Sequence, residues 1–168
     1  MIIKISNLSN GEHTFVFENK VDVFGLELPF YGKYKSSIVL VKLNDQLILT
    51  ASTDFKMKYD CDRCGCEYKS ALTSDYKMVY LMNEEPEETD SINISYLSKE
   101  ADKIDLTNDV REFATLSVPM KKLCKDECKG LCPKCGTDLN KEQCNCKDDE
   151  TDPRWKPLID LKDKLNLN

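Results

Sequence analysis

Nine cysteines constrain this 168-residue chain more than any other feature. Eight of them fall into close pairs, and Cys66 is left over. The pairs are Cys61/Cys64, Cys124/Cys128, Cys132/Cys135 and Cys144/Cys146. Two thiolates that are close in sequence can bind the same metal ion, and two such pairs complete the tetrahedral shell that zinc prefers. The spacing therefore predicts one or two structural zinc sites, each with four thiolate ligands.

Two other uses of the cysteines compete with zinc. A disulfide framework is typical of small secreted chains. However, the opening residues contain no apolar run like that of a signal peptide, and no segment approaches membrane-spanning length. We therefore expect a cytoplasmic protein with reduced thiols. Glycines after Cys64 and Cys135 also favour metal, because they let backbone amides turn toward the sulfur atoms. Iron binding, thiol redox chemistry or metal handling is the remaining alternative.

The net charge limits how the chain can contact nucleic acid. The formal charge is -6 with neutral cysteines, and two zinc tetrathiolate sites bring it to about -10. This charge argues against tight, nonspecific binding to bare RNA or DNA. The best local patch is residues 121–135, named here the basic segment, where five lysines oppose Asp126 and Glu127. Its lysines are Lys121, Lys122, Lys125, Lys129 and Lys134.

The basic segment has two interpretations. It is a candidate contact for RNA or a partner, together with Arg154 and Trp155 in the tail. Alternatively, its lysines only solvate a metal-binding loop. Trp155 is expected to pack on the ribbon or the sheet, and stacking on a nucleobase is the alternative.

The first half of the chain predicts β-strands. Short alternations of apolar and polar residues occur at 2–5 and 14–18, and a longer pair at 34–43 and 46–59 flanks the turn signal Asn44-Asp45. Another strand is expected at 67–81. The first cysteine knuckle, Cys61 to Cys64, then lies at a corner between two strands.

The second half is less regular. The acidic run at 83–90 predicts a loop or a disordered bridge. A strand is expected at 92–97. A helix is expected at 108–117, with capping side chains offered by Asp105 and Thr107 and with Pro119 ending it. Another short amphipathic helix is expected from about residue 157.

These elements predict an α+β fold: a β-rich antiparallel sheet or partial barrel with one packed helix, plus a small C-terminal zinc-ribbon-like segment. The expected domains are 1–120 (β-rich), 121–151 (zinc-binding) and 152–168 (turn and short helix). We expect the helix to bring Cys124 and Cys128 to Cys61 and Cys64. The ribbon then uses Cys132, Cys135, Cys144 and Cys146. A rival division places Cys124 and Cys128 in the ribbon and leaves the first knuckle without metal.

Nothing in the sequence predicts catalysis. The single histidine, His13, has no neighbour that would form a triad or a Cys-His pair, and no glycine-rich phosphate loop occurs. Four thiolates also close the zinc shell, so the ion would be structural. We therefore expect no enzyme and no small-molecule substrate. The ordinary interpretation of Cys66 is a partly buried small residue.

The order of motifs resembles one known family. The carrying residues are Cys61-Asp62-Arg63-Cys64, Ile104-Asp105-Leu106, Arg111-Glu112, Val118-Pro119-Met120, the string from Cys124 to Gly136, Leu139-Asn140, Cys144-Asn145-Cys146 and Asp152-Pro153-Arg154. In this order the chain resembles the YceD-type large-ribosomal-RNA accumulation proteins of bacteria and plastids.

The resemblance implies a non-enzymatic factor for 23S rRNA accumulation and large ribosomal subunit biogenesis. Its partner would be the pre-ribosomal large subunit, contacted through rRNA, a ribosomal protein or both, with no membrane involved. Two alternatives stay open: a zinc-stabilised protein–protein adaptor, and a thiol-based redox or metal-handling protein.

Overall fold

The structure is a computed structural model that describes residues 1–82, 93–98, 100–146 and 153–165. It divides into two compact units, Met1–Asp126 and Glu127–Asn168. The acidic run at 83–90, expected to be a loop or a disordered bridge, lies outside the described residues. The three domains expected from the sequence stay a prediction.

The first unit is built on a five-stranded sheet of order β2-β3-β4-β5-β6 and a separate pair, β1 with β7. The strands are β1 (Ile2–Lys4), β2 (Gly11–Lys20), β3 (Phe30–Lys42), β4 (Gln46–Asp60), β5 (Glu67–Leu81), β6 (Ile94–Tyr96) and β7 (Lys103–Asp105). Pairing is antiparallel except between β5 and β6, which are parallel. A 3₁₀ turn, Val21–Phe24, follows β2.

The β3–β4 hairpin forms as the alternation predicts. Its turn closes where the Leu43 N–H donates to the Gln46 carbonyl at 2.9 Å. Leu40 faces Leu49 across the two strands, and both side chains are fully buried. Because side chains alternate along a strand, one face of the hairpin enters the core and the other carries polar residues.

Helix α1 (Thr107–Leu116) packs on the core face of this sheet. Val110 and Ala114 are buried, and the Phe113 ring stacks on Tyr76 with centroids 4.5 Å apart. The helix starts one residue earlier than expected and ends at Leu116, before Pro119.

Asp105, one of the two residues expected to offer a capping side chain, caps the start of α1 from the position before the N-cap residue. The N-cap residue is Leu106, and it provides no side-chain hydrogen bond. Asp105 lies one position earlier, and its carboxylate accepts the Thr107 N–H at 3.0 Å instead. It also accepts a hydrogen bond from the Met1 amino group. The carboxylate therefore links the helix start to the chain's first residue.

The second unit contains a compact loop structure and helix α2 (Lys156–Leu165), which follows a 3₁₀ turn at Pro153–Trp155. Leu131 forms a β-bridge with Asp138, and the Leu139 N–H donates to the Gly130 carbonyl at 3.0 Å. Trp155 is 56% exposed, and its expected packing on the ribbon or the sheet stays a prediction.

The predicted fold class is confirmed: the chain is mostly sheet, with one main packed helix and a C-terminal cysteine cluster that fits a zinc-ribbon-like segment. Parallel β6 is the departure from an antiparallel sheet. Among the described helices, none has the length and apolar character needed to cross a bilayer.

Candidate metal centres

The first knuckle is a tight turn between β4 and β5. The Gly65 N–H donates to the Cys61 carbonyl at 2.8 Å, and the Cys61 N–H donates to the Cys66 carbonyl at 2.9 Å. Gly65 has a φ of 68°, a left-handed conformation that glycine adopts without steric cost. The turn buries the side chains of Cys61 and Cys64.

A later segment of the first unit is hydrogen-bonded to this knuckle. The Asp62 N–H donates to the Lys122 carbonyl at 2.8 Å, and the Asp62 carboxylate accepts the Lys122 N–H at 2.6 Å. The Arg63 guanidinium reaches the Asp126 carbonyl at 3.4 Å. These bonds explain why Cys124, between Lys122 and Asp126, meets the knuckle: its Sγ lies 3.8 Å from the Sγ of Cys64.

Four thiols form what is named here the first thiol group. Their sulfur atoms all lie within 4.8 Å of one another: Cys61, Cys64, Cys124 and Cys128. In a tetrahedral zinc site with bonds of about 2.3 Å, neighbouring sulfur atoms are about 3.8 Å apart. The distance between Cys64 and Cys124 matches this value. The Asn140 amide also donates to the Cys128 sulfur at 3.4 Å, a contact that suits a thiolate.

The second thiol group repeats the same local turn. Its members are Cys132, Cys135, Cys144 and Cys146, again with all sulfur atoms within 4.8 Å of one another. The Gly136 N–H donates to the Cys132 carbonyl at 2.9 Å, and the Cys132 N–H donates to the Thr137 carbonyl at 2.8 Å. Gly136 has a φ of 74°, close to that of Gly65. This group is more open to solvent, because Cys135 and Cys146 are exposed.

Hydrogen bonds favour the thiolate form of Cys61 in the first group and of Cys135 in the second. Desolvation raises the pKa of Cys61, but backbone amides of Cys124, Cys64 and Arg63 outweigh it and lower that pKa to about 6. In the second group, the Thr137 hydroxyl and amide lower the pKa of Cys135 to about 6. Cys146 behaves oppositely: its hydrogen bond to Cys135 raises its pKa to about 12.

The chemistry of both groups fits a soft tetrahedral ion. Four sulfur donors with no oxygen or nitrogen donor favour zinc or an iron site over magnesium or calcium. The sequence analysis expected Cys124 and Cys128 to join Cys61 and Cys64, and the two groups have this composition. The rival division, with Cys124 and Cys128 in the ribbon, does not match them. That either group binds metal stays a prediction.

Cys66 lies beside the first thiol group without belonging to it. Its side chain is half-buried, and its Sγ is 3.2 Å from that of Cys64. Sequence reasoning did not anticipate this contact. It also missed the contacts of Asn140 and Thr137 with sulfur, although Leu139-Asn140 is one of the motifs shared with the family.

The basic segment is mostly solvent-facing. In the first unit Lys121 and Lys125 are exposed, whereas Lys122 is half-buried with its ammonium 5.8 Å from the Tyr59 ring centroid. In the second unit Lys129 and Lys134 are exposed, as are Arg154 and Trp155. Binding of RNA or a partner by these residues stays a prediction.

Comparison with known proteins identifies the family. The model of the family described as large ribosomal RNA subunit accumulation protein YceD matches residues 49–162, which include all nine cysteines. The chain belongs to the YceD family. No solved structure matches it.

Curated relatives agree with this YceD assignment or carry no functional name. The large ribosomal RNA subunit accumulation protein YCED homolog 1, chloroplastic, of Arabidopsis thaliana is 25% identical over 157 residues, covering 77% of this chain and 48% of the relative. Uncharacterized proteins of Mycobacterium bovis and Mycobacterium tuberculosis are 34% identical over 58 residues, covering 34% of this chain and 28% of each relative. The chain thus spans half or less of the length of these relatives.

Proposed function

We propose that this chain is a non-catalytic factor that supports 23S rRNA accumulation and large ribosomal subunit biogenesis. The observation that carries the proposal is the YceD family match over residues 49–162, the region that holds both thiol groups. The name of the Arabidopsis relative agrees with this proposal. The cytoplasmic location expected from the sequence stays part of the proposal.

The proposed role of zinc is structural. Cys61, Cys64, Cys124 and Cys128 would hold one ion, and Cys132, Cys135, Cys144 and Cys146 would hold another. Each ion would cross-link four thiolates and offset half of their negative charge, with no open position for a substrate. In the first unit this would fix the segment after α1 on the knuckle, where Asp62 and Lys122 already bond to each other.

The proposed partner is the pre-ribosomal large subunit. Exposed lysines of the basic segment would contact phosphate groups, which position a protein without reading sequence. Trp155, at 56% exposure, is available to stack on an unpaired base or to enter a protein pocket. The acidic remainder of the chain would limit nonspecific adhesion to RNA, because its charge opposes that of phosphate.

Depletion tests this function. Loss of the protein should lower 23S relative to 16S rRNA, and the wild-type chain should restore the ratio. A chain with Cys61→Ser and Cys132→Ser should restore it less well if the thiol groups matter. Equal loss of both rRNAs would contradict a role confined to the large subunit.

A protein–protein adaptor is the second candidate, and the tail supports it. Trp155, Leu158 and Leu161 are each more than half exposed, at 56%, 55% and 53%. Three large apolar side chains on one short segment are typical of a docking surface. If the chain binds a ribosomal protein with an affinity that does not depend on salt concentration, and does not contact RNA, the adaptor is favoured.

A redox or metal-handling role is the third candidate. It is supported by the 3.2 Å contact between the sulfur atoms of Cys64 and Cys66. Reversible disulfide formation at cytosolic potentials, with release of zinc, would favour this role. Thiols that stay reduced and metal-bound under the same conditions would count against it.

A further inference from the structure

Strand β2 forms one edge of the five-stranded sheet. Within the described residues it pairs with β3 and with no other strand. It is ten residues long, Gly11–Lys20, and contains no proline. A regular edge strand of this length presents a row of unpaired amide and carbonyl groups, to which another strand can add.

The apolar side chains of β2 are only partly covered by the rest of the chain. Phe15 and Phe17 face the core side of the sheet, with ring centroids 6.5 Å apart, yet both are only half-buried. Ile38, the β3 residue opposite Phe15, is fully buried. On the other face Val16 is 62% exposed. One more strand beyond β2 would cover apolar surface on both faces.

We propose that β2 pairs with β2 of a second copy of this chain, in an antiparallel arrangement with its two-fold axis at Val16. The two five-stranded sheets would then form one continuous sheet. In this register Phe15 lies opposite Phe17 of the second copy, and Glu12 lies opposite Lys20 of the second copy. Each of these pairs occurs twice, because the interface is symmetric.

Charge and side-chain alternation select this register. A shift by one residue between the strands would place the core-facing Phe15 and Phe17 against outward-facing residues. An axis at Phe15 would place Glu12 opposite Glu18 of the second copy, and like charges directly opposite each other are destabilising. An axis at Phe17 would leave Glu12 with no strand residue opposite it, because β2 ends at Lys20. The axis at Val16 alone gives an opposite charge to Glu12.

The intrachain contacts agree with this choice. Glu18 already pairs with Lys33 at 3.2 Å. Lys20 lies opposite Lys33 in the β2–β3 register. A glutamate from a second copy would therefore add a negative charge beside two lysines. Within the described part of the chain, the side chains of Glu12 and Lys20 form no ion pair of their own.

Charge exchange with analytical ultracentrifugation tests this interface on the full, metal-loaded chain. The unchanged protein should sediment as a dimer. Glu12→Lys and Lys20→Glu should each lower the association constant by about tenfold, because each turns two opposite-charge pairs into like-charge pairs. An equal mixture of the two variants should restore the dimer, since every interface position then faces an opposite charge again.

Matched variants exclude indirect effects. Lys56→Glu makes the same charge change on the central strand β4 and should leave the dimer unchanged. Val16→Lys puts two like charges on the two-fold axis and should give a folded monomer, with circular dichroism unchanged. A protein that is monomeric at its highest soluble concentration overturns the proposal. An association constant that these substitutions leave unchanged also overturns it. The same holds if the mixture of the two charge variants stays monomeric.

Discussion

The sulfur atoms of Cys64 and Cys124 lie 3.8 Å apart, although 60 positions separate them in the sequence. Their separation equals the edge of a tetrahedral zinc tetrathiolate, about 3.8 Å. The reciprocal hydrogen bonds between Asp62 and Lys122 hold the two segments together beside these thiols. The backbone therefore pre-positions the ligands, and the metal would complete an arrangement that the polypeptide already makes.

The second thiol group should be separable from the sheet. Cys132→Ser removes one of its four ligands, so we expect bound zinc to fall from two ions per chain to one. The sheet of the first unit has its own apolar core and should keep its unfolding transition. Cys66→Ser is the control and should retain both ions. Elemental analysis and thermal denaturation measure the two effects, and loss of the sheet transition in Cys132→Ser would contradict the separation.

Asp62 should be needed for the first thiol group. Its carboxylate accepts the Lys122 N–H at 2.6 Å, so Asp62→Ala leaves that amide without its acceptor. We expect a loss of about 1–3 kcal/mol in unfolding free energy and weaker retention of the first zinc ion. Asp62→Asn keeps an acceptor oxygen and should recover most of the loss. Equal behaviour of the two variants in denaturation and in competition with a zinc chelator would refute the role of this bond.

Two buried tyrosines should respond differently to removal of their hydroxyl groups. Tyr80 donates to the Asp109 carboxylate at 2.6 Å, whereas the Tyr76 hydroxyl is buried with no hydrogen-bond partner in the described part of the chain. Tyr80→Phe should therefore cost about 1–3 kcal/mol at neutral pH, because Asp109 loses its donor. Tyr76→Phe should cost little or stabilise the fold. Urea denaturation of both variants measures the difference, and equal losses would contradict it.

The same tyrosines predict a loss of stability in alkali. Burial, followed by the nearby Asp109, raises the pKa of both Tyr76 and Tyr80 well above the ordinary value of 10.0. Above about pH 10 the unfolded chain loses these protons while the folded chain keeps them. Stability is therefore full below pH 10 and falls as the pH rises further. Denaturation from pH 8 to pH 11 should show a shallower fall in Tyr80→Phe than in the unchanged protein, and an identical fall would contradict this assignment.

The basic segment should control association with the ribosomal particle. Replacing Lys125, Lys129 and Lys134 by glutamate should weaken association and reduce its dependence on salt, because fewer phosphate counterions are released. The matched control replaces Lys35, Lys56 and Lys77, which are exposed on strands of the sheet. Sucrose-gradient sedimentation at several salt concentrations measures both triple variants. If association persists after Lys125, Lys129 and Lys134 are replaced, these lysines are ordinary solvated residues.

Local sequence patterns predicted the regular part of the fold. The strict alternation from Gln46 to Tyr59 specified β4, and the Asn44-Asp45 turn specified its pairing with β3. Close cysteine spacing specified the two knuckle turns, because each needs only a few neighbouring residues and one glycine at positive φ. These features depend on short-range physical chemistry, which a single sequence carries.

Long-range pairings of short segments could not be predicted in this way. Strand β7 has only three residues, too few for a distinctive periodicity, and it pairs with β1, which lies about 100 residues earlier in the sequence. No local sequence pattern indicates that β6 pairs in parallel with β5. The 56% exposure of Trp155 could not be predicted either, because a single residue's hydrophobicity does not specify its neighbours. Asn140 contacts Cys128 only because the loop folds back.

Metal stoichiometry is the most direct test of the central claim, that eight cysteines form two tetrathiolate sites. Elemental analysis of the purified chain under reducing conditions should give two zinc ions per polypeptide. Thiol titration should find the eight paired cysteines protected until a chelator is added, while Cys66 reacts. A protein that contains no metal under these conditions, or whose paired cysteines are joined as disulfides, would contradict the account.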